Sequence, residues 1–219
     1  MSQRETNAKR LCDKGIVAVV RAQSSEQLID VARALVAGGV DCIEITMTTP
    51  NALQVIKDTR AEMGDKALVG VGSVLDVQTA QNAIDAGAEF VVSPIFKDRI
   101  VKTAHEADLP CVPGCFTPTE IITATDVGAD MCKVFPAGHF GPKYFKNILA
   151  PMPHLKLTPT GGVNLDTAAE FIKAGACTLG VGSALVTKKA LADGDMGEIE
   201  RLAAEYVKVV AEARAAKDA

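Results

Sequence analysis

The sequence has no run of lysines and arginines, no apolar stretch approaching the roughly 18 residues of a membrane span, no CxxC pair, and no HxH or HExxH spacing. Each absence removes a class of function. With 27 acidic against 23 basic residues and no basic patch, broad nucleic-acid binding is disfavoured. With no apolar span, a membrane partner is not expected, and the N-terminal MSQRETNAKR lacks the apolar segment of a signal peptide, so the expected location is the cytoplasm. His105, His139 and His154 are scattered, so metal-assisted chemistry is disfavoured and no metal or other cofactor is expected. The six cysteines, Cys12, Cys42, Cys111, Cys115, Cys132 and Cys177, read as buried free thiols in a reducing compartment, because free cysteine packs as a small hydrophobe. A Cys111–Cys115 redox pair is the less favoured reading.

What is present is a rhythm. The 219 residues, 48% of them apolar, suit one domain spanning 1–219. Eight short β-rich runs recur: IVAVV (16–20), CIEIT (42–46), ALVGVGS (67–73), FVVSP (90–94), LPCVP (109–113), MCKVF (131–135), KLTPT (156–160) and CTLGVGS (177–183). Between them lie helix-length segments. SEQLIDVARALVAGG, for example, puts Leu28, Val31, Leu35 and Val36 on one side, with Ser24 or Ser25 as its cap and its end at Gly38. The phrases AGGVDCIEI, AGAEFVVSP, VGADMCKVF and AGACTLGVG each put a glycine where a helix end needs a left-handed residue, just before a strand. Eight βα units without a linker predict a single α/β domain, a (β/α)8 TIM barrel with an N-terminal helix and a C-terminal helix. A doubly wound open sheet is the rival. The C-terminal segment places Ile199, Leu202, Tyr206, Val209 and Ala213 on one stripe, which should close the outer layer.

Two charges interrupt two apolar strands. Alternation sets Lys133 with Met131 and Phe135, and Glu44 with Cys42 and Thr46, on the faces that in a barrel point inward. They read either as a structural ion pair or as chemistry. Their positions towards strand C-terminal ends, where barrel active sites lie, favour chemistry. A desolvated lysine becomes a neutral amine nucleophile towards carbonyls, and a nearby carboxylate can move protons. TGGVN (160–164) and GVGSALV (180–186) follow strands seven and eight and precede helices, the usual phosphate position in barrels. The alternative is that these glycines only allow tight turns.

The motifs EIT (44–46), GVGSVL (70–75), SP (93–94), PGCFTPTE (113–120), KVFPA (133–137), GP (141–142), PTGGVN (159–164) and GVGSALV (180–186) are together similar to the 2-keto-3-deoxy-6-phosphogluconate (KDPG) aldolase family. That family includes 4-hydroxy-2-oxoglutarate (KHG) and 6-phosphogalactonate aldolases. The resemblance runs from about residue 10 to the C-terminus. It implies a class I aldolase on a TIM barrel, a homotrimer acting on a small phosphorylated keto acid, with Lys133 forming the Schiff base and Glu44 shuttling protons. It further implies Ser73, a threonine in many members, at the pyruvate carboxylate, Pro94 and Phe135 walling the pocket, and Thr160 touching substrate. Gly161, Gly162, Gly182 and Ser183 are the expected phosphate contacts. Several phosphogluconate-specific members carry arginine where this sequence has Thr48. Arg21, at the end of strand one, could supply that charge or could be an ordinary surface residue. TTP and FGPKYFK look closer to the phosphogalactonate branch; TPTE and PTGGVN look closer to phosphogluconate and bifunctional members.

Overall fold

A computed structural model describes residues 1–218. Ser2 opens helix α1 (Gln3–Lys14) through a reciprocal capping box with Glu5, satisfying two backbone donors that a helix start otherwise leaves bare. The strands follow as β1 (Ile16–Val20), β2 (Cys42–Thr46), β3 (Leu68–Gly72), β4 (Val91–Val92), β5 (Cys111–Val112), β6 (Gly114–Cys115), β7 (Cys132–Val134), β8 (Leu157–Pro159) and β9 (Leu179–Val181). Between and after them lie α2 (Ser25–Ala37), α3 (Ala52–Met63), α4 (Val77–Asp85), α5 (Asp98–Glu106), α6 (Pro118–Asp126), α7 (Gly141–Leu149), α8 (Leu165–Lys173), α9 (Lys188–Asp193) and α10 (Met196–Asp218).

Every strand pairing is parallel, as βαβ connections require. A curled six-stranded sheet runs β5-β4-β3-β2-β1-β9, and a three-stranded sheet runs β6-β7-β8. LPCVP is therefore not one strand. Pro113 has no N–H to continue the ladder, so it divides β5 from β6, although its carbonyl still accepts from Lys133 N–H at 2.9 Å. At the other end of the chain, Thr160 bridges Gly180, beside the β8–β9 join.

The recurring glycine phrase has one physical cause. Gly39, Gly87, Gly128 and Gly175 all have φ between +91° and +103°. In each unit the following N–H reaches back five residues: Val40 to Leu35, Ala88 to Ala83, Ala129 to Ala124 and Ala176 to Phe171. This closes the helix and turns the chain into the next strand. The left-handed residue of the first phrase is Gly39; Gly38, at φ −78°, is only the cap. Ser24, not Ser25, caps α2 through the N–H of Gln27.

Side chains sort into two layers. Ile43, Ile45, Val69, Val71, Cys132 and Val134 face the helices in the outer core. Val17, Cys42, Leu68, Phe90, Val92, Val112 and Met131 form the inner layer, which Leu11 of α1 closes from below. Helix α10 packs between α8 and α2. It buries Ile199, Leu202, Tyr206 and Ala213 as the stripe predicts, but takes in Ala203 and Val210 rather than Val209, because two neighbours demand a broader face. No helix among the described residues is long and apolar enough to cross a membrane.

Candidate active site

Lys133 sits in the middle of β7, held on both sides by the ladder to Gly114 and Thr158. Glu44 occupies the middle of β2, paired with Val19 and Gly70. Both are mid-strand rather than terminal, and both turn inward. Lys133 Nζ lies 3.8 Å from Glu44 Oε1, with side-chain exposures of 7% and 4%. Burial of this degree would heavily penalise either charge alone, so each partner is what allows the other to stay. The ring of Phe135 stands over the amine at 5.4 Å from its centroid, a further cation contact.

Local sequence makes room for the pair. A Cβ on Gly72 would fall 1.9 Å from Glu44 Oε1, so the bare backbone at the end of β3 is what the carboxylate leans on. Below the pair is an interior void of about 20 Å³, lined on its polar side by Glu44, Lys133, Thr158, Thr160 and Thr178. That is room for about one water. Thr178, 1% exposed, has a hydroxyl without a hydrogen-bond partner there.

Outside the void, and sharing Thr160 and Gly180 with it, is a cleft of about 300 Å³. Its walls bring together Arg21, Phe135, Thr160, Gly161, Gly162, Gly182 and Ser183, all seven expected from sequence. Gly161 and Gly162 have φ of +80° and +83°, a conformation glycine adopts without strain, and their lack of side chains leaves the backbone approachable. Helix α8 begins directly after this loop with Asn164 as cap. The second loop differs from expectation. Gly182 to Val186 closes one turn, through Val186 N–H to the Gly182 carbonyl, and α9 starts later, at Lys188. Arg21 is exposed but oriented: its Nε donates to Thr48 Oγ1 at 3.1 Å, and Thr48 lies 2.8 Å from Thr46 Oγ1. Thr48 thus braces an arginine from the neighbouring strand end.

Ser73 and Pro94 line neither cavity. Ser73 follows Gly72 with φ +61°, and Pro94 presents its carbonyl against Gly114, the residue paired with Lys133. Each is one residue or one strand removed from the buried pair. Thr158, Thr178 and Gly72 also belong to the site without being expected from sequence, although alternation sets Thr158 on a face with Thr160, and Thr178 with Gly180. His105, which carries no role above, pairs with Asp130 at 3.2 Å.

A sequence profile described as KDPG and KHG aldolase matches residues 8–202. The chain belongs to the KDPG and KHG aldolase family. This aldolase is a carbon–carbon lyase of the class I, Schiff-base type. It is 35% identical to the 2-dehydro-3-deoxy-phosphogluconate aldolase of Treponema pallidum over 89% of its own length and 93% of the relative's. It is 33% identical to the KHG/KDPG aldolase of Escherichia coli over 94% and 98% respectively. Among solved structures it is similar to one described as native KDPGal, with a TM-score of 0.85, 30% identity and coverage of 91% of this chain and 96% of that one. It is also similar to the Legionella pneumophila KDPG aldolase with pyruvate captured as a covalent carbinolamine, with a TM-score of 0.82, 26% identity and coverage of 87% and 92%.

Proposed function

We propose that this aldolase cleaves 2-keto-3-deoxy-6-phosphogluconate to pyruvate and glyceraldehyde 3-phosphate, with 4-hydroxy-2-oxoglutarate as a second substrate. Lys133 is the amine and Glu44 the proton carrier. The observation that carries this reading is the enclosed Lys133–Glu44 pair at 3.8 Å beside a glycine-walled cleft. Proton transfer from Lys133 to Glu44 leaves a neutral amine, which attacks the substrate's C2 carbonyl carbon. The protonated carboxyl then gives its proton to the carbinolamine hydroxyl, which leaves as water, and an iminium forms. Glu44, again a carboxylate, takes the C4 hydroxyl proton; the C3–C4 bond breaks and its electrons flow into the iminium. The aldehyde departs, the enamine is protonated at C3, and water releases pyruvate.

In this reading Gly161, Gly162, Gly182 and Ser183 offer backbone and hydroxyl donors to the phosphate, Arg21 supplies its countercharge, and Thr160 touches substrate between the two cavities. Phe135 and Pro94 wall the pocket near the Schiff base, and Ser73 receives the pyruvate carboxylate. Incubation with pyruvate and borohydride should attach a reduced adduct irreversibly to Lys133. An unmodified Lys133, or an adduct on another lysine, would overturn the assignment. The Thr48-braced Arg21 favours a second reading, a preference for the galactonate epimer. Rates of pyruvate release from the two epimers decide between them.

We further propose that the two sheets are parts of one closed (β/α)8 barrel forming a single domain. The Pro113-divided β5–β6 segment and the Thr160–Gly180 bridge support this, each lying at one of the two places where the sheets meet. The exposed Leu75 and Ile95, in the loops after β3 and β4, and Val77 at the start of α4 support self-association as a homotrimer. The free cysteines fit a cytoplasmic setting. Light scattering would measure the assembly directly.

A further inference from the structure

Six free cysteines would be unremarkable if all were sealed in the core. Four are: Cys42, Cys111, Cys115 and Cys132. Cys12 and Cys177 are only partly covered, and they lie together although they come from opposite ends of the chain. Arg214 Nη2 donates to the carbonyl of Cys12 at 2.6 Å and to that of Cys177 at 3.0 Å, so one guanidinium nitrogen gathers both backbones. Their side chains share a pocket as well. Cys12 Sγ is 3.6 Å from Met131 Sδ, Thr158 Oγ1 is 4.0 Å from the same sulfur, and Thr158 Oγ1 is 3.8 Å from Cys177 Sγ.

We propose that Cys12 and Cys177 are a dithiol modification site, which a peroxide converts to an intramolecular disulfide that fastens helix α1 to the segment leading into strand β9.

The two thiols are unequal, as such a reaction needs. A hydrogen bond from Cys177, against the opposing effect of burial and helped by Lys156 and Arg214, brings the Cys12 thiol down to about 7. The same contact and burial push Cys177 up, so it remains the protonated partner. Of the two thiols, Cys12 thus yields its proton more readily, and it is partly accessible, the combination that marks an oxidisable cysteine. Its sulfur attacks one peroxide oxygen, the O–O bond breaks, and the departing hydroxide takes up a proton to become water. Cys12 becomes a sulfenic acid. Cys177 then gives up its proton and attacks the sulfenyl sulfur; the S–O bond breaks and a second water leaves. Two thiols have lost two electrons and one peroxide has gained them.

Helix α1 is already tied to the base of the sheet by Arg4–Asp130, Arg10–Asp41 and the bond from Asn7 to the Glu89 carbonyl. Cys115 and Cys132 also interact thiol to thiol, but both are buried beneath α6, where a peroxide has no access.

The test treats the intact protein with hydrogen peroxide and maps it without reduction. Expected are loss of the mass of two hydrogens, a cross-link between tryptic segments 11–14 and 174–188 that dithiothreitol removes, and a melting temperature higher by roughly 5 °C or more. Cys177→Ser should give no cross-link but a Cys12 sulfenic acid that dimedone traps; Cys12→Ser should give neither. A cross-link between Cys115 and Cys132, a disulfide between two copies, or both thiols still alkylatable after treatment would overturn the proposal.

Discussion

Gly72 holds Glu44 in place by having no side chain. A methyl group there would sit 1.9 Å from Glu44 Oε1, well inside van der Waals contact, so the carboxylate would have to turn away from Lys133. Gly72→Ala should lower kcat by about 10²-fold, the scale expected for roughly 1 Å of misplacement at a reacting group. Steady-state kinetics on a variant that still melts cooperatively is the check. An unchanged kcat would mean that the position of Glu44 does not matter.

The Lys133–Glu44 pair should be a stability liability as soon as it is halved. Lys133→Met leaves a carboxylate that is 4% exposed without its cation and should cost about 3–5 kcal/mol. Adding Glu44→Leu should restore most of that while leaving activity absent. Denaturant unfolding of the two variants measures both. If the single change proves as stable as the parent, Glu44 has another partner.

Arg21 should separate phosphorylated from unphosphorylated substrates. Losing one charge-assisted hydrogen bond to the phosphate should raise KM in Arg21→Ala by about tenfold or more. The KM for 4-hydroxy-2-oxoglutarate, which has no phosphate, should stay put. Equal effects on both would move Arg21 to the carboxylate.

Much of this geometry was legible beforehand because strand alternation is strict. A charge in CIEIT and another in MCKVF could only point inward or be buried among helices, so Glu44 and Lys133 were visible as a pair before any coordinates. The glycine loops were visible for a similar reason: Gly161 and Gly162 need a backbone that other residues adopt with strain. Pro113 was less readable. The same residue that ends LPCVP also begins PGCF, and only the hydrogen-bond ladder shows that it divides one segment between two sheets. Nor could periodicity find the Arg21–Thr48–Thr46 chain, because it joins ends of different strands. Cys12 and Cys177 were hidden more deeply, their meeting being decided by where α1 and α10 dock.

Thr178 offers a quiet test of the interior void. Its buried hydroxyl has no partner, so Thr178→Val should be neutral or stabilising by up to about 1 kcal/mol. Destabilisation beyond that would indicate that the hydroxyl is satisfied in solution, with a trapped water as the natural partner.

Glu120 links the stability of α6 to acidity. The N–H groups of Phe116 and Thr117 hold its carboxylate below its ordinary value of 4.5. A depressed carboxylate contributes stability above its unfolded value, and that contribution fades as pH falls through the lower folded value. Glu120→Gln should therefore melt below the parent at neutral pH, and the gap should close in strong acid. A gap that is constant across the range would assign the effect to the capping geometry alone.

The neighbours of β8 are not equally committed. On one side β7 and β8 share a three-residue ladder; on the other, β8 meets β9 through the Thr160–Gly180 bridge and a bond from Cys177 N–H to the Leu157 carbonyl. Amide exchange should accordingly run faster along that seam than around Lys133, since thinly bonded regions open at lower cost. Lys133 rides on the firmly bonded flank, and the cleft walled by Thr160 and Gly180 lies along the yielding one, so opening of that cleft need not disturb the strand that carries the amine.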